Sequence, residues 1–402
     1  MSLYDDLKVP TLINAAGPVT RYGGSCLSPR VLAAMAEATH SYVRLDELQL
    51  AAGRKLAAWT GAEAGYVTTG AAAGLTLGAA AMMAGLDIRK MEQLPNTDGI
   101  PNHFLVQRSH LSDYDHAIRA SGAELHPVDC PDSASLQELT RLLESEKRDK
   151  TCGTAYVFRT SDRGVPLEVW TAASHDLGLP VLVDASVRLP PRENLRLIPG
   201  TGADLVAFSG GKAIQGPQGT GFLVGRKDLI ASVLLQNQDM DVNAETWFLR
   251  EWIKEGLLPE PPRNGIGRGY KVSKESILGL LAALEEYLAT DPGEEVAHWN
   301  RVLDAVLDGL KGVPGCRAER SAPGQGSFPV PMAVFRLEKY APLSLVEFVN
   351  ACAALERPIL FEEGPLKKGY LVIHPMCLSL EDARALVKGV RRVLGSRRNR
   401  QD

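Results

Sequence analysis

Lys212 stands between two apolar runs in "ADLVAFSGGKAIQGPQGTGFLVG" (203–225), with glycines on both sides. A lysine just past a strand, among small residues, can be desolvated, which lowers its pKa toward use as a nucleophile. A solvated loop lysine is the plainer alternative. Ser209, three residues earlier, can donate to a phosphate. Asp184 ends the run "PVLVDA", where it can cap a turn or face a cation as a buried carboxylate. After "GYVTT" the chain runs through Thr69, Gly70, Ala71 and Ala72 into a helical pattern. Small residues there suit either close helix packing or the approach of a phosphate to the first N–H groups of the helix.

Each of these signals is weak alone, but together they specify one cofactor. Phosphate donors, a carboxylate for a pyridinium nitrogen and an amine for an aldehyde are what a protein contributes to pyridoxal 5'-phosphate chemistry. On this reading Lys212 captures the aldehyde, Asp184 faces the ring nitrogen, and the neighbouring glycines let phosphate, ring and substrate crowd around the lysine. His110, which closes "HFLVQRSH", could stack on the ring face. His116, in "YDHAI", reads as a surface or packing histidine.

These residues need a scaffold, and the pattern supplies one. Between about 44 and 240, short apolar runs ("AGYVTTG", "HFLVQRS", "TAYVFRT", "LPVLVDA", "DLVAFSG", "GTGFLVG") alternate with helical stretches over 45–59, 71–84, 114–120, 133–144 and 167–177. Such alternation implies βαβ crossovers and a mostly parallel sheet, an α/β class. Ligands of such sheets bind beyond the carboxyl ends of the strands, where the residues above fall. After residue 240 a Pro/Gly-rich bend, "LLPEPPRNGIGRG", leads into a helix over 273–288 and mixed segments. "MAVFRLE" and "YLVIHPM" read as strands, "LSLVEFVNACAAL" and "LEDARALVKGVRRVL" as helices, and "GSRRNRQD" as a frayed tail. The expected organisation is an N-terminal segment (1–43) shared between active site and small lobe, a large cofactor-binding domain (44–260) and a small α+β C-terminal domain (261–402).

Composition narrows the partners. With 402 residues and a net charge of −4, the chain has no bulk attraction to nucleic acid or anionic membrane. Six scattered cysteines, with no C-x-x-C pair, suit reduced thiols in the cytoplasm, so neither disulfides nor a metal is expected. The acidic start "MSLYDDLKVP" does not read as a signal peptide. The charge-free stretch 64–86 is rich in Gly and Thr and reads as a helix buried in a globular core rather than a membrane span.

The lysine segment "SGGKAIQGPQGTGFLVG" resembles that of bacterial selenocysteine synthase (L-seryl-tRNA selenium transferase) and, more closely, its shorter homologues, the group containing D-glucosaminate-6-phosphate ammonia-lyase. "INAAGPVTRYGGSCLSP", "YVTTGAAAGLTLGAAA", "YDHAIRASGAEL", "VDASVRLPPRENLR" and "GIGRGYKVSKESILGLLAALE" extend the likeness over nearly the whole chain. The resemblance implies a fold-type I pyridoxal phosphate enzyme, at least dimeric, with active sites at a subunit interface. By position it implies Lys212 as the Schiff-base residue and proton shuttle, Asp184 as pyridinium partner, Ser209 with Thr69 to Ala72 as phosphate cradle, and His110 as the stacking residue. Arg21, Arg268, Lys271 and His374 become candidates for a substrate carboxylate or phosphate. The selenium transferase carries an additional N-terminal RNA-binding region, whereas the core motif here begins by residue 12, so a small amino acid rather than tRNA is the expected substrate. Val187 and Arg188 depart from the small or amide residues expected after Asp184. The leading expectation is elimination from a β-hydroxy or sugar-derived amino acid, giving a 2-oxo acid and ammonia. A racemase or aldolase on the same scaffold is the nearest alternative, and a non-catalytic cofactor-binding regulator the alternative of another class.

Overall fold

Strands form where β-branched and large apolar residues run together, and in this chain most such runs end on a polar or small residue. The computed structural model describes residues 2–130, 132, 141, 148–158, 164–238, 242–321 and 330–395. Its strands, in chain order, are β1 (Ile13–Ala15), β2 (Ala64–Thr68), β3 (His103–Gln107), β4 (Glu124–Val128), β5 (Thr151–Val157), β6 (Val181–Asp184), β7 (Leu205–Ser209), β8 (Gly221–Gly225), β9 (Cys316–Arg320), β10 (Ala333–Leu337), β11 (Ile359–Phe361) and β12 (Leu371–Ile373). The chain divides into a larger unit, 27–287, and a smaller one made of 1–26 and 288–402.

In the larger unit seven strands form one sheet in the order β2-β8-β7-β6-β5-β3-β4. β8 is antiparallel to both its neighbours, and the remaining pairs are parallel. β6 is buried throughout and β7 is buried up to Ser209, as their unbroken apolar runs require when helices cover both faces. The mostly parallel α/β sheet expected from the sequence is therefore present.

The charge-free stretch becomes the helix Gly70–Ala84, which is buried along nearly its whole length. Its small residues let it lie close on the sheet: a Cβ at Gly78 would come within 2.9 Å of Leu182 Cδ1, and one at Gly74 within 3.5 Å of Ala207 Cβ. Among the described residues no helix is long and apolar enough to cross a membrane. At the amino ends of the inner strands the buried Asp204 accepts from Val181 N–H at 2.7 Å and Arg226 Nη1 at 2.9 Å, and bonds His175 Nε2 at 2.8 Å. This anchors that end of the sheet and leaves the carboxyl ends for function.

The smaller unit holds the antiparallel sheet β12-β10-β9, the parallel pair β1-β11 and the helices Pro292–Leu310, Leu345–Ala353 and Leu380–Gly395. Phe335, Phe348 and Phe361 stack at its centre, the first two with ring centroids 4.9 Å apart. These units begin and end at other residues than the expected segments 1–43, 44–260 and 261–402. The helices Pro29–Thr39 and Lys274–Ala289 account for the difference. Ser28, the N-cap of the first, bonds Glu286, Arg30 bonds Glu285 at 2.8 Å, and Leu280 lies against Gly210. The expected helix over 133–144, apart from residue 141, and most of the tail "GSRRNRQD" lie outside the described residues, and the one over 114–120 is a short 3-10 turn, Asp113–Asp115, followed by His116–Arg119.

Candidate active site

The carboxyl ends of β6, β7, β5 and β3 bring the expected residues of the larger unit together. Asp184 is the last residue of β6 and 8% exposed. Its Oδ1 accepts Ser186 N–H at 2.9 Å, which fixes the carboxylate, so Asp184 does combine the turn cap with a buried charge. Lys212 Nζ donates to the Ser186 carbonyl at 3.2 Å. Burial pushes the Lys212 pKa below its ordinary value, and the Asp184 charge pulls it partly back.

The lysine turn is stapled at its base. Gly210 N–H donates to Thr220 O and Gly216 N–H to Gly210 O, both at 2.9 Å, while Gln215 adopts φ 58° and donates to Lys212 O at 3.0 Å. The glycines flanking the lysine do a different job from the one expected. A Cβ at Gly210 would lie 2.4 Å from Thr220 Oγ1 and 2.5 Å from Leu280 Cδ1, and one at Gly211 2.5 Å from Gln218 Cα. They make room for the chain's own atoms, the Thr220 and Leu280 side chains at Gly210 and the Gln218 backbone at Gly211.

Open space lies instead at the turn into the helix Gly70–Ala84. Gly70 has φ +88°, and a Cβ built there meets nothing within 4 Å. Thr69, the N-cap, gives this helix no side-chain cap, because its Oγ1 is turned to the Tyr270 carbonyl at 3.3 Å. Ala71 is buried and Ala72 exposed. The first N–H groups of a 15-residue helix are thus uncapped by a side chain beside a small-residue turn, the arrangement that accepts a phosphate. Gly221 seats this turn on the sheet: it pairs with Ser209, and its absent Cβ would lie 2.5 Å from Ala71 N. Ser209, three residues before Lys212, therefore ends its strand next to the cradle.

His110 follows β3 and is 4% exposed. Its Nδ1 accepts from Val157 N–H at 3.4 Å, and its ring meets Tyr156 edge-on with centroids 4.5 Å apart. Val157 is the register partner of Asp184, which brings His110 to the same strand ends. Arg268 and the exposed Lys271 are near neighbours in the chain of Tyr270, the residue whose carbonyl Thr69 bonds. In the smaller unit, Arg21 is exposed, lies over the Tyr22 ring at 4.7 Å and faces Glu363 at 3.8 Å. His374 there packs against Gly17, and burial pushes its pKa down to about 4.

Two residues of this site escaped the sequence reading. Ser186 links Lys212 to Asp184 through its backbone, which no side-chain motif announces. Arg188, noted only as a departure, lies 4.2 Å over the Phe158 ring just past the end of β5.

The donor set fits pyridoxal phosphate: an amine and a carboxylate joined through one residue, beside an open helix N-terminus with a serine at the adjacent strand end. The fold and site define a pyridoxal-phosphate-dependent enzyme of fold type I, and residues 108–241 match the family model "Aminotransferase class-V". Within that class the chain belongs to the family of the D-glucosaminate-6-phosphate ammonia lyase of Salmonella typhimurium (strain 14028s / SGSC 2262), with which it is 30% identical over 76% of its own length and 75% of the relative's. It is also similar to the 5'-C-glycyluridine monooxygenase-decarboxylase of a Streptomyces species, 28% identical over 97% of this chain and 92% of that one. A solved structure of D-glucosaminate-6-phosphate ammonia-lyase superposes with a TM-score of 0.80 and 25% identity, covering 99% of both chains.

Proposed function

We propose that this chain is a pyridoxal-phosphate-dependent ammonia-lyase acting on a β-hydroxy or sugar-derived amino acid. The observation that carries the reading is the Lys212–Ser186–Asp184 link beside an open phosphate cradle, in a chain 30% identical to an ammonia lyase. When bound, the cofactor supplies an electron sink that makes the Cα proton of an attached amino acid acidic.

The chain's own residues do the rest. Lys212 Nζ, whose pKa burial lowers, would hold the cofactor and serve as the base for the substrate's Cα proton. Asp184 holds a positive charge at the ring nitrogen. Ser209 and the N–H groups at Gly70 to Ala72 hold the phosphate, with Thr69 positioning that turn through Tyr270. His110, at the end of β3, would contact the ring. Loss of the β-hydroxyl as water, followed by hydrolysis that consumes one water, gives net conversion of the substrate to a 2-oxo acid and ammonium. In the larger unit Arg268 and Lys271 are the candidates for the substrate's anionic groups.

The same reading extends to location and assembly. A cytoplasmic location agrees with six cysteines, none of which is in a disulfide. A homodimer agrees with the fully exposed Tyr42 and with Val43 and Leu45 beside it, large apolar side chains that a subunit contact would bury.

The test is a panel of D- and L-β-hydroxy amino acids and amino-sugar acids, with and without phosphate, incubated with cofactor-loaded protein. Release of ammonium and 2-oxo acid in equal amounts is expected from at least one. A second reading, decarboxylation at the same Cα, is motivated by the likeness to the Streptomyces decarboxylase. Carbon dioxide release without 2-oxo acid would decide for it and overturn elimination.

A further inference from the structure

At the opposite end of the sheet from Lys212, three side chains converge that the reaction above does not use. His103 and Glu124 open the parallel strands β3 and β4 and are register partners, so their side chains share a face. His126, two residues beyond Glu124, returns to that face through the strand period. The ring centroids of the two histidines are 3.9 Å apart. Glu124 Oε2 lies 3.6 Å from His103 Nε2 and 3.6 Å from His126 Nε2. One ligand atom from each of the three residues falls within 4.8 Å of the others.

We propose that His103, Glu124 and His126 bind one divalent transition-metal ion of the zinc type, clamping β4 to β3. Metal–ligand bonds of about 2.0–2.2 Å place neighbouring ligand atoms of a tetrahedron about 3.4 Å apart. Both carboxylate–imidazole separations are already within a few tenths of an ångström of that spacing. Two imidazoles and one carboxylate suit zinc and its neighbours rather than calcium or magnesium, which take oxygen ligands. The His103 side chain is 9% exposed and that of His126 23%, while Glu124 is 63% exposed, so the cluster is anchored on the sheet and open to solvent on one side. A water can complete the shell from there. The expectation of no metal rested on cysteine spacing. This set contains no cysteine, and its members come together only through strand pairing.

β4 is where such a clamp has an effect, because it is the edge strand, paired with β3 alone, and it contains Pro127. The inference is independent of the reaction assigned above. It is tested on cofactor-loaded protein with zinc chloride, by competition against a chromophoric chelator and by thermal unfolding with and without the metal. His103 is left unchanged because it is buried, and Glu124→Gln and His126→Gln are made separately. Wild type is expected to bind one zinc per chain and unfold at a higher temperature with it. Each variant is expected to bind at least tenfold more weakly and to lose the thermal shift, with cofactor absorbance and elimination rate unchanged. Absence of stoichiometric zinc in wild type, or wild-type affinity in both variants, overturns the proposal.

Discussion

Lys212 is tied to Asp184 through a single intervening residue: its Nζ donates to the Ser186 carbonyl at 3.2 Å, while Ser186 N–H donates to Asp184 Oδ1 at 2.9 Å. One residue, through its N–H and its carbonyl, thus contacts both the carboxylate and the amine. Asp184 ends β6 and Lys212 follows β7 by three residues, so their spacing depends on the parallel pairing of those strands.

Replacing the amine should remove the chemistry and leave the fold. Lys212→Ala is expected to lose the visible absorbance of the bound cofactor and the borohydride-fixed adduct at that position. Its elimination rate should fall by roughly a thousandfold or more. Spectroscopy and mass mapping of the reduced protein check the first two. A wild-type adduct located at another lysine would rule out the assignment.

Asp184→Asn should act on the cofactor and on the lysine separately. Burial lowers the Lys212 pKa and the Asp184 charge raises it, so removing that charge should move the titration of Nζ to still lower pH in cofactor-free protein. Labelling of Lys212 as a function of pH measures this shift. In the loaded enzyme the rate should drop by roughly a hundredfold or more, through loss of charge stabilisation at the ring nitrogen. An unmoved lysine titration would show that the two groups are not coupled.

The glycines can be sorted by what a methyl would meet. Gly221→Ala places Cβ 2.5 Å from Ala71 N and should disturb the cradle, weakening cofactor affinity by about tenfold or more. Gly219→Ala, two residues away, meets nothing within 4 Å and should leave affinity unchanged. Cofactor titration of the two variants side by side reads the difference.

His374 gives the smaller unit a pH dependence. Burial takes its pKa from the usual 6.5 down to about 4, so the folded side chain stays neutral where the unfolded one takes up a proton. Above pH 6.5 neither state is protonated and the group has no effect. As pH falls from 6.5 toward 4, the unfolded chain binds more protons and stability declines, levelling once the folded histidine also protonates. Unfolding midpoints across that window should fall in wild type and fall less in His374→Gln. Equal slopes would assign the loss to other groups.

Much of the site was legible in the sequence because parallel strands place their functional residues at one end. Asp184 ends "VLVD", Ser209 ends "LVAFS", and Gly70 follows "AGYVT", so the buried apolar runs mark the strand ends without coordinates. Elements with mixed polarity were harder to see. β4, "ELHPV", and β9, "CRAER", carry polar residues because the first is a sheet edge and both lie partly in solvent. The close contacts at Gly210 and Gly211 were not legible, since a glycine forced by the protein's own packing looks the same in one dimension as one that frees space for a ligand.

The order of residues determined the α/β class, the amine, the carboxylate and the small-residue turn that together call for pyridoxal phosphate. Only the tertiary structure decided that Ser186 joins Lys212 to Asp184, that Gly221 seats the turn of Gly70, and that His103 meets Glu124 and His126. The physical reason is the same in each case. These contacts depend on which strands pair and in what register, and that follows from packing the whole sheet rather than from any local run of residues.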